Sequence, residues 1–87
     1  MRARRIVVRT QAEAESIRAQ IKGPDDFFRL AREKSIDPSA SIGGDTGFFS
    51  PGDLDDPSES AIKRLAPGEM SGVVRMPTGY AIFQRVD

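Results

Sequence analysis

The twelve residues 43–54, GGDTGFFSPGDL, constrain this chain more than any other stretch of it. Three glycines and an aspartate lead into a Phe-Phe pair, and a Ser-Pro-Gly turn ends the run. Glycine is used where the backbone needs positive φ or where another backbone must come close. On its own such a Gly-rich loop is a weak signal; what surrounds it decides how it is read.

Before the loop, Ile6, Val7 and Val8 form a β-branched run that fits a buried strand over residues 3–9. Thr10 and Glu13 have the spacing of a capping box, and Ala14, Ile17 and Ile21 recur as the stripe of an amphipathic helix. Gly23 is the expected left-handed residue ending that helix, with Pro24 just beyond it. A second helix is expected from Pro24 or Asp25 to about Lys34, with Asp25 and Asp26 suited to the dipole of its first turn. Phe27, Leu30 and Ala31 form its inward face and Phe28 its flank. Residues 36–47 are expected as loop, and Phe48-Phe49 as a short piece of sheet edge.

After the loop, Asp56, Pro57 and Glu59 occupy N-cap, N1 and N3 positions of a third helix whose stripe is Ala61, Ile62 and Leu65. Pro67-Gly68 breaks the chain. Val73-Val74 and residues 80–86 then give two strands joined through Met76-Pro77-Thr78-Gly79. In the last strand Tyr80, Ile82, Gln84 and Val86 share one face, and Ala81, Phe83 and Arg85 the other. The order is β-α-α-β-α-β-β, a small α+β domain.

At 87 residues the chain is one small domain with a modest core. Its apolar runs are three to four residues long, too short for a membrane-spanning helix or the apolar part of a signal peptide. With no cysteine and no histidine, disulfides, thiolate chemistry, zinc-thiolate and imidazole metal sites and Ser-His-Asp systems are excluded. Net charge is zero but unevenly spread: residues 1–22 hold six basic and two acidic side chains, and residues 37–59 hold six acidic and no basic ones. That acidic stretch fits a solvated loop or a surface favouring basic or neutral peptides. The basic residues are few and not interleaved with aromatics, so no nucleic-acid partner is expected. Asp53-Leu54-Asp55-Asp56 lacks the glycine and distal glutamate of an EF-hand loop, so no metal is expected there.

The loop gains specificity from residues 66–83, APGEMSGVVRMPTGYAIF, which follow it at the right distance. Together the two segments resemble the parvulin family of peptidyl-prolyl cis/trans isomerases, with its GGDLG-F pattern followed by PGE-S-PV and GYHI. The resemblance runs from Arg4 to Val86. It implies a four-stranded, mostly antiparallel sheet surrounded by three to four helices, in a single domain over 1–87 that belongs to a longer protein. It implies no cofactor. The implied partner is a proline-containing unfolded or extended polypeptide, bound by a monomeric isolated domain without direct membrane insertion, in an extracytoplasmic parent.

The resemblance also assigns positions. Arg5 stands at the first family histidine, in Arg4-Arg5-Ile6-Val7-Val8, and Ala81 replaces the second, in Gly79-Tyr80-Ala81-Ile82. Asp37 keeps the loop position that is Cys or Asp in the family, and Thr78 precedes the glycine of the last motif. Asp37, Arg5 and Thr78 are thus the candidate catalytic residues. Thr46, Leu54, Ser58, Met76, Tyr80 and Ala81 are the candidates for holding substrate. Leu54 matches a Met or Leu of the proline pocket, whereas Ser58 stands where its phenylalanine is expected and Thr46 replaces a leucine.

Each candidate has a plainer alternative. Asp37 before Pro38 fits a turn or cap as well as a site residue. Arg5 fits a solvated or ion-paired strand residue, or a guanidinium paired with Asp37 or aimed at a substrate carbonyl. Ala81 fits sheet filler, and Tyr80 a core residue. Met70 and Met76 fit packing or a peptide cleft. Three functions follow: an isomerase domain with weakened catalysis, a parvulin-fold module that binds peptide without turning it over, or a structural spacer. The acidic loop carries no Arg or Lys cluster, which argues against selection for phosphorylated Ser/Thr-Pro.

Overall fold

The computed structural model describes every residue except Met1, Phe49, Pro51, Asp55 and Asp87, and gives only the backbone of Pro24, Phe48 and Asp56. Four strands, β1 (Arg2–Val8), β2 (Asp45–Phe48), β3 (Val74–Met76) and β4 (Gly79–Arg85), form one antiparallel sheet in the order β2-β1-β4-β3. Three α-helices, α1 (Gln11–Gln20), α2 (Pro24–Lys34) and α3 (Asp56–Lys63), cover it, and a 3-10 turn, Pro38–Ile42, lies in the central loop.

Period-two alternation along β1 and β4 decides the packing. Ile6, Val8 and Ile82 point to one face, where they bury Ala14 and Ile17 of α1 and Phe27, Leu30 and Ala31 of α2. Ala3, Val7, Ala81 and Phe83 point to the other, against Ile62 of α3. The sheet is thus enclosed between α1 and α2 on one side and the shorter α3 on the other. Burial of Phe27 and Phe83, each with 0% exposure, makes them the largest single contributors, since a fully buried phenylalanine is worth about 1.5–3 kcal/mol.

The helix boundaries follow from local chemistry. The Thr10 hydroxyl accepts from Glu13 N at 3.2 Å, capping α1 as its spacing predicts. Gly23 differs from expectation: α1 ends at Ile21, whose backbone is extended, and Gly23 has φ −165° and serves as the N-cap of α2. Pro24, at the first position of α2, fixes a helical φ itself, so no left-handed residue is needed between the helices. At α3 the helix already includes Asp56, and the capping expected of its side chain lies outside the described residues, as does the Phe49 half of the expected edge strand. Glu59 reaches back from α3 to accept from Gly52 N at 3.2 and 3.3 Å, tying the helix to the loop before it.

The central loop is more ordered than its composition implies. Within 36–47 the chain makes the 3-10 turn, and β2 begins at Asp45 rather than Phe48. At the rim, Val86 N donates to Arg2 O at 2.8 Å, so the two outer ends of β1 and β4 lie side by side. No described helix is long and apolar enough to cross a membrane.

Candidate active site

Arg5 sits on the α3 side of the sheet, between Ala3 and Val7 on β1 and opposite Phe83 on β4. Beyond the end of β2, the edge of β1 is taken over by loops, and these loops bring Asp37 to it. Arg5 N donates to Gly44 O at 2.8 Å, and two residues on, Ile36 N donates to Val7 O at 2.8 Å while Val7 N donates to the Ser35 hydroxyl at 3.0 Å. The strap 35–36 is thereby stitched to Val7, and Asp37 arrives beside Arg5, the neighbour on the same sheet face. One Arg5 terminal nitrogen lies 2.9 Å from Asp37 Oδ1.

The glycine pair holds the other half of the frame. Gly43 N and Gly44 N donate to Ala40 O and Ser39 O, closing the 3-10 turn. Gly44 has φ +85°, and a Cβ there would lie 2.3 Å from Arg5 O. The sequence GG is thus dictated by a left-handed turn pressed against the backbone of the site residue.

Asp37 is nearly buried, with 10% of its side chain exposed. Its Oδ2 accepts from Ser39 N at 3.0 Å and from the Ser39 hydroxyl, and Oδ1 faces Arg5. Burial alone would raise its pKa, but the Ser39 hydroxyl and amide and the Arg5 guanidinium together outweigh it and hold the carboxyl below its usual value. Asp37 is therefore a fixed carboxylate, both cap and ion-pair partner, with its lone pairs committed. Such a group is a poor general base and a good source of fixed field. Arg5 Nε is buried and has no hydrogen-bond partner among the described residues.

Around this pair, Ala81 lies in the floor of the α3-side cluster with 0% exposure, and Leu54 and Met76 pack against the same cluster half-buried. These five residues, Arg5, Asp37, Leu54, Met76 and Ala81, belong to one face of the sheet. Of the remaining candidates, Ser58 is on the α3 side but closed off beneath the helix, and the others are placed elsewhere. Thr46 spends its hydroxyl on Ala3 O at 2.9 Å, joining β2 to β1. Ser58 is fully buried within α3. Thr78 is exposed in the β3–β4 turn, and Tyr80 packs half-buried on the opposite, α1–α2 face. Met70 and Met76 do not form a pair: Met70 packs on the α1–α2 side and Met76 on the α3 side. Sequence reasoning had no signal for Ser35 and Ser39, whose side chains bond Val7 and Asp37; both lie in the SIDPS segment that frames the site.

The family profile of the PPIC-type PPIase domain, or rotamase, matches residues 4–87. The chain belongs to this family. The foldase protein PrsA of Geobacillus kaustophilus is 40% identical over 88 residues, all of this chain and 31% of that protein. The solved PrsA peptidylprolyl isomerase of Bacillus anthracis superposes with a TM-score of 0.94 at 32% identity, over 99% of this chain and 40% of that one. A structure of SurA-like chaperones from Campylobacter jejuni, one described as periplasmic, gives the same TM-score at 32% identity, over 99% of this chain and 37% of the other. This PPIC-type domain thus spans well under half the length of these three relatives. Its sheet order and helices are those of the parvulin fold, as its glycine loop and PGE and GY segments imply.

Proposed function

We propose that this parvulin-type domain binds Xaa-Pro segments of unfolded or extended polypeptide on the α3 side of its sheet and accelerates rotation about the prolyl bond, more weakly than a site with imidazoles would. The observation that carries this reading is the Arg5–Asp37 pair, 2.9 Å apart, at the positions of the first family histidine and the family Cys/Asp. Prolyl rotation must cross a barrier of about 18–20 kcal/mol, but it makes and breaks no covalent bond. What lowers it is a shaped, desolvated site with a few placed charges, which favours the twisted amide over the planar one. Leu54 and Met76, half-buried over the core cluster that contains Ala81, offer an apolar floor for the proline ring. The ion pair offers a dipole fixed in advance, and Asp37, already saturated by Ser39 and Arg5, acts through its charge rather than by taking a proton.

A peptide-binding module without turnover is the second reading, favoured by Ala81 in place of a ring and by Ser58 closed inside α3. Exchange NMR on Ala-Xaa-Pro-Ala peptides separates the two. Exchange between cis and trans peaks should speed up with the wild-type domain and return to the uncatalysed rate with Asp37→Ala. Peptide-induced shifts near Leu54 and Met76 without faster exchange would support the module. Silence from both measurements across a broad peptide panel would sink both readings and leave a structural spacer.

We further read 1–87 as one domain of a longer foldase or chaperone acting outside the cytoplasm, monomeric when isolated. Support comes from the foldase PrsA and the SurA-like chaperones, one of them periplasmic, among its relatives, and from the small share of their length that this chain matches.

A further inference from the structure

The sheet face under α3 is apolar except at Arg5 and at its rim. From β1 and β4 it presents Ala3, Val7, Ala81 and Phe83, and the rim residue Arg85 donates from Nη1 to Leu65 O at 2.7 Å. The three nitrogens of Arg5 are not equivalent. Nη2 faces Asp37 Oδ1 at 2.9 Å. Nε is buried, out of reach of any ligand. Nη1 has no partner among the described residues and is not closed off from solvent, and 22% of the side chain stays accessible. The neighbours offer no donor of their own: Asp37 is a carboxylate, which only accepts, and the Ser39 hydroxyl is spent on it. Within this frame, Arg5 Nη1 is the donor left over for a bound prolyl segment.

Where that donor must act follows from what rotation does to an amide. In the planar bond the nitrogen lone pair is delocalised into the carbonyl, so the oxygen accepts strongly and the nitrogen hardly at all. At the twisted midpoint the lone pair returns to a pyramidal nitrogen, which becomes amine-like, while the oxygen loses charge. A donor placed on the oxygen therefore binds the planar forms best and slows rotation. A donor placed on the nitrogen binds the twisted form best and speeds it. We propose that Arg5 is a catalytic residue, whose Nη1 donates a hydrogen bond to the prolyl nitrogen as the bond twists while Asp37 holds the guanidinium in place. No proton changes owner, and no covalent bond is made or broken. The guanidinium suits this task because it stays charged and its fork is rigid, so seating Nη2 on Asp37 also sets the direction of Nη1. The preferred substrates are then prolyl bonds whose nitrogen is a good acceptor once twisted. The assignment rests on the α3 side being a prolyl isomerase site, and it names the end of the amide that the cation meets.

The test compares two substrates on the unmodified domain: Ala-Ala-Pro-Ala, and the same peptide carrying 4,4-difluoroproline. The fluorines withdraw electrons and make the ring nitrogen a poorer acceptor. Exchange NMR over a range of peptide concentrations gives kcat and KM for each. Each kcat is divided by that peptide's own uncatalysed rate, which removes the difference in how easily the two bonds twist unaided. The acceleration should be lower for the fluorinated peptide by about threefold or more, roughly half of a tenfold bond on the logarithmic scale. Equal acceleration, or a larger one for the fluorinated peptide, would overturn the assignment and leave an isomerase site standing. No acceleration of either peptide would remove the isomerase reading together with it. Arg5→Met keeps the apolar stem and removes the donor. It should lower kcat for the proline peptide about tenfold, what one hydrogen bond to a charged group supplies, and leave KM within about twofold. It should also abolish the difference between the two peptides. A loss carried by KM alone, or an unchanged difference, would overturn the proposal.

Discussion

The Arg5 guanidinium and the Asp37 carboxylate meet at 2.9 Å on the α3 side of the sheet, and they do so because Ile36 and Ser35 are bonded to the backbone of Val7, two residues along the same strand. On the proposed reading the pair stands in exchange for a family imidazole, and its carboxylate, Asp37, is held below its usual pKa. Several measurable properties depend on that exchange.

Removing one member strands the other. With Asp37→Ala the Arg5 guanidinium loses its counter-ion while mostly buried, and the 3-10 turn loses its cap. Stability should fall by about 1–3 kcal/mol, less than for a fully buried pair because Arg5 keeps partial access to water. Urea unfolding monitored by circular dichroism checks this. Arg5→Met should cost less than Asp37→Ala, since Ser39 still satisfies the carboxylate.

Acid should unfold the domain through Asp37 and Asp45. The Ser39 bonds and Arg5 hold Asp37 below its usual value of 3.8 against the opposing effect of burial, and Arg2 does the same for Asp45. Because both folded values are depressed, the unfolded chain binds protons first as pH falls. Their stabilisation is complete above about pH 5, and declines as pH drops through the unfolded and then the folded value. Melting temperatures should therefore be level from pH 5.5 to 8 and fall below about pH 4, with a shallower fall in Asp37→Asn.

Any isomerase activity should be flat across the range in which histidines titrate. The chain has no histidine and no cysteine, and Asp37 is ionised throughout. A plot of kcat/KM from pH 5.5 to 8.5 should show no inflection; a step near pH 6.5, the usual imidazole range, would contradict the assignment.

Two glycines of the loop differ in what surrounds them. Gly44→Ala places a Cβ 2.3 Å from Arg5 O at φ +85°, whereas a Cβ on Gly47, at φ +73°, would meet nothing within 4 Å among the described residues. The second change should cost about 1 kcal/mol, the strain of a left-handed alanine alone. The first should cost more than twice that, and should perturb the amide resonances of Arg5 and Ile36.

Filling the position of the family phenylalanine should be resisted. Ser58 has 0% exposure, so Ser58→Phe must push α3 from the sheet at about 1–3 kcal/mol. If Ser58→Phe with Ala81→His raises prolyl exchange despite that loss, the pocket is a degraded one; no gain would mean that it has been rebuilt around Arg5.

Much of this was legible in the chain itself. Alternation along β4 assigned Ala81 and Phe83 to one face and Tyr80 and Ile82 to the other, because a period of two leaves no choice once one side is known. The motifs gave the fold, and the option of an Arg5–Asp37 contact was open from charge alone. What stayed hidden depended on partners distant in sequence. Gly23 looked like a helix terminator, even with α2 expected from Pro24 or Asp25, because spacing alone does not tell a glycine that ends one helix from one that caps the next. Residues 36–47 looked like plain loop because Ser35, Ile36 and Gly44 are organised by the edge of β1, about thirty to forty residues away. Met70 and Met76 looked like a pair because composition carries no sheet face.

The bond from Val86 N to Arg2 O has a mechanical meaning. The two strands at the centre of the sheet, β1 and β4, carry their outer ends at one corner. Tension applied through flanking polypeptide would act across that ladder and peel it one rung at a time, starting at the bond between Val86 and Arg2, instead of shearing every rung at once. A fold arranged this way opens under gentle pulling and closes again when slack returns.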